Sequence, residues 1–222
     1  MYSITDTEYL ITLEVKQGRR TLPEISLRLI DWINTTYGVN AINIYYDVLM
    51  PDNRPRIMVI FENDEDESSF KENDNGNYLY EKQSAIADKY CELVDELKLE
   101  NDYSVKNVFV CYAEFSNIYR SNIYTSADDN GISDLLTRYI RNPIWQIHTY
   151  GHVLIVFFYT NKEKDNPANK ELMDELSNEY YNLLKQFDEF GYLKNVLIHK
   201  ESKEELDRKH HGSMTEWSMN FF

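Results

Sequence analysis

Apolar positions recur along this chain with two periods, and the order in which the periods alternate is itself repeated. Glu8 to Val15 alternates weakly and predicts a strand. Thr21-Leu22-Pro23-Glu24 reads as a helix start, with Thr21 as cap, Pro23 in the first turn and Glu24 three residues after the cap. Ile25, Leu29, Trp32 and Ile33 then fall on one helical face. Ala41 to Val48 and Arg56 to Phe61 predict two strands, with Pro51, Asp52, Asn53 and Pro55 turning the chain between them. An acidic stretch, Glu62 to Asn77, is expected to be an exposed loop without regular structure. The stripe Ile86, Tyr90, Leu93, Val94 and Leu97 predicts a long helix, and Val105 to Tyr112 a closing strand.

A second pass through the same order follows. Tyr112 to Tyr124 reads as extended chain, Ile132 to Ile140 as a helix, and Ile144 to Thr149 and His152 to Tyr159 as strands around a Tyr150-Gly151 turn. Asn166-Pro167 introduces a helix with Leu172, Leu176, Tyr180, Leu183, Leu184 and Phe187 on one face, and Leu193 to His199 is the last strand. Short identities mark the copies. Ile25, Ser26, Leu29, Trp32 and Ile33 match Ile132, Ser133, Leu136, Tyr139 and Ile140 in spacing, and Lys106-Asn107-Val108 returns as Lys194-Asn195-Val196. The expected fold class is α+β: a tandem duplication of a ferredoxin-like β-α-β-β-α-β unit, with mostly antiparallel sheets and helices on one face. The copies are expected at 1–112 and 113–200, with a short charged helix and an apolar tail over 201–222. The first copy carries the acidic loop 62–77, absent from the second.

One detail conflicts with an open-faced sheet. Ile57 to Phe61 and Val153 to Tyr159 are apolar on both strand faces, whereas a sheet with one wet face alternates. Either the two sheets pack together or a partner covers the second face.

Composition narrows the function classes. Net charge is −15, with −10 in residues 1–112 and −5 in 113–222. Nucleic-acid binding without sequence preference needs a basic footprint, and none is present, so direct nucleic-acid contact is not expected. An acidic surface favours basic partners and keeps the chain in solution. No apolar run approaches the roughly 20 residues of a membrane helix, and Met1 to Leu10 lacks the basic start of a secretory signal. Cys91 and Cys111 are too few for a disulfide scaffold. These features set the expectation of a cytoplasmic protein that contacts no membrane.

No local motif announces chemistry. The glycines lie at least 20 residues apart, which excludes glycine-rich phosphate loops and dinucleotide fingerprints. The two cysteines cannot form a CxxC site, and HExxH and GxSxG are missing. Asn73-Asp74-Asn75-Gly76 resembles part of a calcium loop, but the register puts Lys71 and Lys82 where carboxylates belong. If Tyr150-Gly151 forms a two-residue turn, Thr149 pairs with His152 and His148 with Val153, so the two imidazoles point to opposite faces and do not chelate. His199 and the adjacent His210-His211 read as structural or exposed. No catalytic residue, metal or cofactor is expected.

Three surfaces remain as candidate partner-binding sites. The first is Asp64, Glu65, Asp66 and Glu67 in the acidic stretch. The second is Tyr119, Arg120 and Tyr124 in the tandem Ser116-Asn117-Ile118-Tyr119 and Ser121-Asn122-Ile123-Tyr124, since Tyr and Arg dominate interface hot spots. The third is the tail with Trp217, Phe221 and Phe222, too apolar to stay free and expected to dock on its own body or on a neighbour. The function expected from these features is non-catalytic protein binding of an inhibitor or immunity type, through an acidic, Tyr-rich surface. The alternatives are a structural subunit of a large assembly such as a virion or secretion machine, with the chain then located in the virion, and an enzyme or small-ligand sensor with a pocket between the copies. An oligomer or larger assembly is compatible with the first two.

Overall fold

The computed structural model describes residues 3–72 and 76–221, apart from the side chains at 220 and 221. The chain forms two compact units, Met1–Tyr119 and Arg120–Phe222. The first carries helices α1 (Thr7–Lys16) and α2 (Glu24–Tyr37), strands β1 (Ala41–Leu49) and β2 (Arg54–Phe61), helices α3 (Asp64–Ser68) and α4 (Tyr80–Leu97), and strand β3 (Phe109–Glu114). Helix α5 (Ser116–Asp129) contains the boundary. Then follow α6 (Ile132–Tyr139), β4 (Ile144–Tyr150), β5 (Val153–Phe158), α7 (Asn161–Lys164), α8 (Lys170–Lys185), β6 (Leu197–Ser202), α9 (Lys203–His210) and α10 (Met214–Phe221).

Each unit holds a three-stranded mixed sheet, ordered β1-β2-β3 and β4-β5-β6. The first two strands of each form an antiparallel hairpin, and the third runs parallel to the middle one. The four-stranded antiparallel sheet expected from the sequence is not what forms, because both predicted opening strands are helices. In α1 the buried positions are Tyr9 and Thr12, three apart, and the Thr12 hydroxyl donates to the Glu8 carbonyl at 2.6 Å. Glu8 in its first turn and Lys16 in its last complement the helix dipole. In α5 the buried positions are Ser116, Tyr119, Ile123 and Ala127, three or four apart. Glu114 starts that helix by accepting the Asn117 N–H at 2.9 Å. A helical stripe, not strand alternation, therefore underlies the tandem SNIY.

The frame repeats at the level of single hydrogen bonds. Both hairpins carry an irregularity at the same place, between Ala41 and Asn43 and between Ile144 and Gln146. The middle strand of each leads into a capped helical turn. Asn63 accepts the Asp66 N–H, and Thr160 accepts the Glu163 N–H. The repeated Lys-Asn-Val ends one residue before β3 and one residue before β6, and the sheet register makes Phe109 the counterpart of Leu197. After each third strand the chain is tied back alike: the Ser116 N–H donates to the Glu62 carbonyl, and the Glu204 N–H to the Tyr159 carbonyl.

The units differ in what joins the middle strand to the next long helix. Residues 62–79 do so in the first and 159–169 in the second. The acidic stretch is not wholly irregular, since Asp64–Ser68 forms α3 and Lys71 bridges Tyr78. Its turn also has a counterpart in the second unit, α7. Asn73, Asp74 and Asn75 lie outside the described residues.

Both middle strands are buried on both faces, and each unit covers both faces with its own helices. On one side of β2, Ile57, Val59 and Phe61 pack with Ile25, Leu29 and Ile33 of α2 and with Ile86, Tyr90, Leu93 and Val94 of α4. On the other, Asn43 of β1 donates to the Thr12 hydroxyl of α1 at 2.8 Å, and Tyr9 stacks on Phe115. In the second unit, α6 and α8 bury Leu135, Leu136, Leu176, Tyr180 and Leu184. On the opposite face, Ile155 and Phe157 of β5 pack with Leu206 of α9 and Trp217 of α10. The Trp217 and Phe157 rings meet edge to face at 5.3 Å, and Trp217 is only 7% exposed. Covering helices thus fill the role for which the sequence suggested sheet-on-sheet packing or a partner.

The β4–β5 hairpin turns one residue later than expected. Tyr150 pairs with Val153 and His148 with Ile155, so Gly151 and His152 make the turn. Gly151 is at φ +59°, and a Cβ there would meet the Tyr124 ring at 3.0 Å. Glycine meets both demands.

Because Trp217 completes the second unit's core, removing residues 213–222 is expected to destabilise that unit. Trp217→Ala alone should cost about 3–5 kcal/mol. Urea unfolding followed by tryptophan fluorescence and circular dichroism checks this. A truncated chain that unfolds at the full-length midpoint would mean the tail contributes nothing in cis.

Candidate functional site

The first unit holds an open groove of about 610 Å³. Its walls come from three segments: the start of α2 (Pro23, Glu24, Ile25), Tyr46 of β1, and the turn leaving α4 (Leu97, Leu99, Asp102, Tyr103). That turn is set by Lys98, which takes a left-handed conformation at φ +57° and lets the Leu99 N–H reach the Val94 carbonyl. The Asp102 and Tyr103 N–H groups then both donate to the Leu99 carbonyl.

Tyrosines build the floor. The Tyr46 ring lies 5.1 Å from Tyr103 and 6.2 Å from Tyr90. The Tyr46 hydroxyl accepts the Ser104 N–H at 3.1 Å, so its ring orientation is fixed. Burial, with neighbouring Tyr46 and Tyr103 adding to it, pushes the Tyr90 hydroxyl far above its ordinary range. Carboxylates stand at the rim. Glu24 pairs with Arg28 at 2.6 Å, and Arg28 also reaches Glu96 at 3.7 Å. All three are well exposed, so these pairs contribute little to stability. Glu24 and Asp102 line the groove, Glu96 pairs with Arg28 beside it, and the turn itself carries exposed Lys98 and Glu100, so acids outnumber bases on this part of the surface. The whole first unit holds 22 acidic and 11 basic residues, and the second 16 and 12.

The residues predicted to bind a partner do not form one patch. Asp64 and Glu65 are exposed on α3, but their neighbours hold structure. Asp66 accepts the Asn40 N–H and the Asn63 side-chain amide, both at 3.1 Å. Glu67 is buried and paired with Lys71. Tyr119 is buried, stacked 5.5 Å from Phe115. Arg120 and Tyr124 are half-buried, and Tyr124 packs over Gly151. Trp217 sits in the second unit's core. Phe222 and the side chain of Phe221 lie outside the described residues. The groove lined by Tyr46 and Tyr103 was not anticipated from sequence. Tyr46 lies in the predicted strand Ala41 to Val48 and Tyr103 in no predicted element, and only the turn after Lys98 brings the two rings together.

The second unit offers smaller cavities. One of about 300 Å³ lies beside Glu205, whose carboxylate holds Lys164 at 3.0 Å and also Lys209. Those hydrogen bonds lower its pKa to about 2. His199 meets Glu201 at 3.0 Å nearby. Another, of about 270 Å³, lies between β4 and α10 and is lined by His148, Thr215, Trp217 and Ser218. Among the described residues the buried His148 Nε2 has no hydrogen-bond partner, and burial lowers the pKa of its ring. Cys111 is buried and its thiol is pushed up to about 11, mainly by burial, so it is a poor nucleophile at neutral pH. Among the described residues no three His, Cys, Asp or Glu side chains gather where they could hold a metal ion. Among them, too, no helix is long and apolar enough to cross a membrane.

No protein-family model, curated protein sequence or solved structure matches the chain.

His148 gives a pH prediction. Its folded pKa is depressed, so below its ordinary value of about 6.5 the unfolded chain takes up a proton that the folded chain refuses. The stability this neutral ring allows is present above pH 6.5 and declines as pH falls below it. Thermal melts of His148→Gln should show a shallower loss between neutral and mildly acidic pH than the parent chain. Parallel curves for the two proteins would mean that the ring is solvated when charged.

Proposed function

We propose that this chain is a non-catalytic binding protein that engages a basic segment of a partner protein through its first unit. The observation that carries the reading is the 610 Å³ groove, in which tyrosine rings and leucines form the walls and carboxylates form the rim. Tyrosine supplies large, rigid contact area at low entropic cost, and an aromatic face attracts a lysine or arginine head group. Glu24, Glu96 and Asp102 complement the same head group, and the surplus of acids on the unit speeds encounter with a basic partner. Asp64 and Glu65 of α3 add to that field.

We further infer that the two units descend from one duplicated unit. The shared hairpin irregularity, the paired helix caps and the in-register Lys-Asn-Val segments support this. In this reading the surface acids of the first unit are a later specialisation of one copy.

Affinity capture of the full chain from its native source, followed by mass spectrometry, identifies the partner, and the kinetics of that pair test the groove. Glu24→Gln with Asp102→Asn should slow association and flatten its dependence on salt. Tyr103→Ala should raise the dissociation rate about tenfold or more, as expected for a hot-spot residue. Asp64→Asn with Glu65→Gln should change association alone. Asp66 and Glu67 are left intact because they maintain α3. A captured partner whose rates ignore the Glu24, Asp102 and Tyr103 changes would refute the assignment to this groove.

A further inference from the structure

The two parallel edge strands are finished differently, and the difference exposes a second binding site. In β6 the Leu197 N–H donates to the carbonyl of His152, the turn residue just before β5. With the parallel register Val153↔Leu197, Leu154↔Ile198 and Ile155↔His199, the backbone groups of Leu197, His199 and Glu201 are spent on β5. Those of Ile198 and Lys200 therefore point away from the sheet. The same alternation holds in β3, where the Phe115 N–H donates to Phe61 and the outward residues are Val110 and Tyr112.

In the first unit that outward edge is closed from within the chain. The Gln83 side-chain amide of α4 donates to the Val110 carbonyl at 2.6 Å. Tyr78, carried by the longer connector, sets its ring edge-on 5.0 Å from that of Tyr112. The second unit has lost both devices. Counting from the buried helix tyrosines, Tyr90 and Tyr180, the position of Gln83 is occupied by Met173, whose thioether cannot donate. The shorter connector 159–169 supplies no residue in place of Tyr78. Among the described residues nothing bonds to the Ile198 or Lys200 backbone. A groove of about 330 Å³ opens there, with Met173, Val196 and Ile198 among its lining.

We infer that the β6 edge is a strand-addition site for an extended, apolar and weakly charged peptide segment of a partner protein. Main-chain hydrogen bonds to Ile198 and Lys200 would supply the pairing, and alternate side chains would enter the groove against Met173 and Val196. Charge selects this occupant over a basic one. Lys170 and Lys200 balance Asp165 and Asp174 in the groove lining, so neither sign is favoured, unlike the rim at Tyr103. The site is independent of the basic partner proposed above. An edge left open in this way is otherwise a hazard that proteins close, as the first unit does.

A phage-displayed library of random linear peptides, panned on the full chain, provides the probe. Enriched peptides should be apolar, with few charges. Adding one should slow amide hydrogen exchange at Ile198 and Lys200, with little change at Leu197 and His199, which already bond to β5. Ile198→Pro removes an outward N–H and no bond to β5. It should weaken the peptide at least tenfold, whereas Ile198→Val should not. Should the proline variant melt early, the exchange pattern on the parent chain decides alone. Failure to enrich peptides, protection spread elsewhere, or a dimer that closes this edge in sedimentation would each overturn the inference.

Discussion

The constraint on which the rest of the structure depends is that both middle strands are apolar on both faces. In β2, Ile57, Val59, Ile60 and Phe61 are all fully buried, and in β5 so are Leu154, Val156, Phe157 and Phe158. A three-stranded sheet that exposed one such face would leave several large side chains in water, at about 1.5–3 kcal/mol each. Each unit therefore needs helices on two sides, not one. The helix before the hairpin and the helix between its second strand and the third, α2 with α4 or α6 with α8, together cover one side in both units. The second cover is recruited from whatever chain is nearby: α1 in the first unit, α9 and α10 in the second.

That difference in recruitment explains the apolar C-terminus. Met214 and Trp217 would be a liability on a free tail, but they are the other half of the Ile155 and Phe157 surface. Their packing turns a segment that reads as sticky into a structural one. The same reasoning removes Tyr119 from the list of free aromatics, since it extends the Tyr9–Phe115 stack. In the binding reading proposed above, the surfaces left for a partner are Tyr46 and Tyr103, half-buried against the first unit's core, with their rim of acids, and the edge of β6.

The sequence was legible wherever a long stripe determined an element. α2, α4, α6 and α8 and the β1–β2 hairpin stand where their periodicity put them, the β4–β5 hairpin turns one residue later, and the Lys-Asn-Val repeat marks the same register in both sheets. It misled where a short segment satisfied two periods. Glu8 to Val15 alternates as a strand would, yet burial falls on Tyr9 and Thr12 and selects a helix. The SNIY pair concealed a period of four among polar residues. The acidic stretch looked structureless because acids dominate it. Four acids in the first turn of α3, however, suit the positive end of a helix, and Asn63 supplies the cap. The candidate sites were less legible still. The groove depends on the turn after Lys98, and the open edge depends on a shorter connector and on Met173 at the position of Gln83, which no local pattern reports.

Charge and structure are therefore entangled in the first unit, and this bears on how its acidity is used. Asp66, Glu67, Asp47 and Glu62 each hold a defined partner: the Asn40 amide, Lys71, Arg56 and Lys16. Carboxylates engaged in this way shape the fold and add little to an outward field. Those at the groove rim are different. Glu24 and Glu96 share a single exposed guanidinium, and exposed pairs of this kind exchange partners at small cost. An incoming cation can take Arg28's place without unfolding anything. In the binding reading proposed above, the rim acids can therefore change with the partner at no cost to the core, while Tyr90, buried beneath half-buried Tyr46 and Tyr103, keeps the geometry of the groove constant.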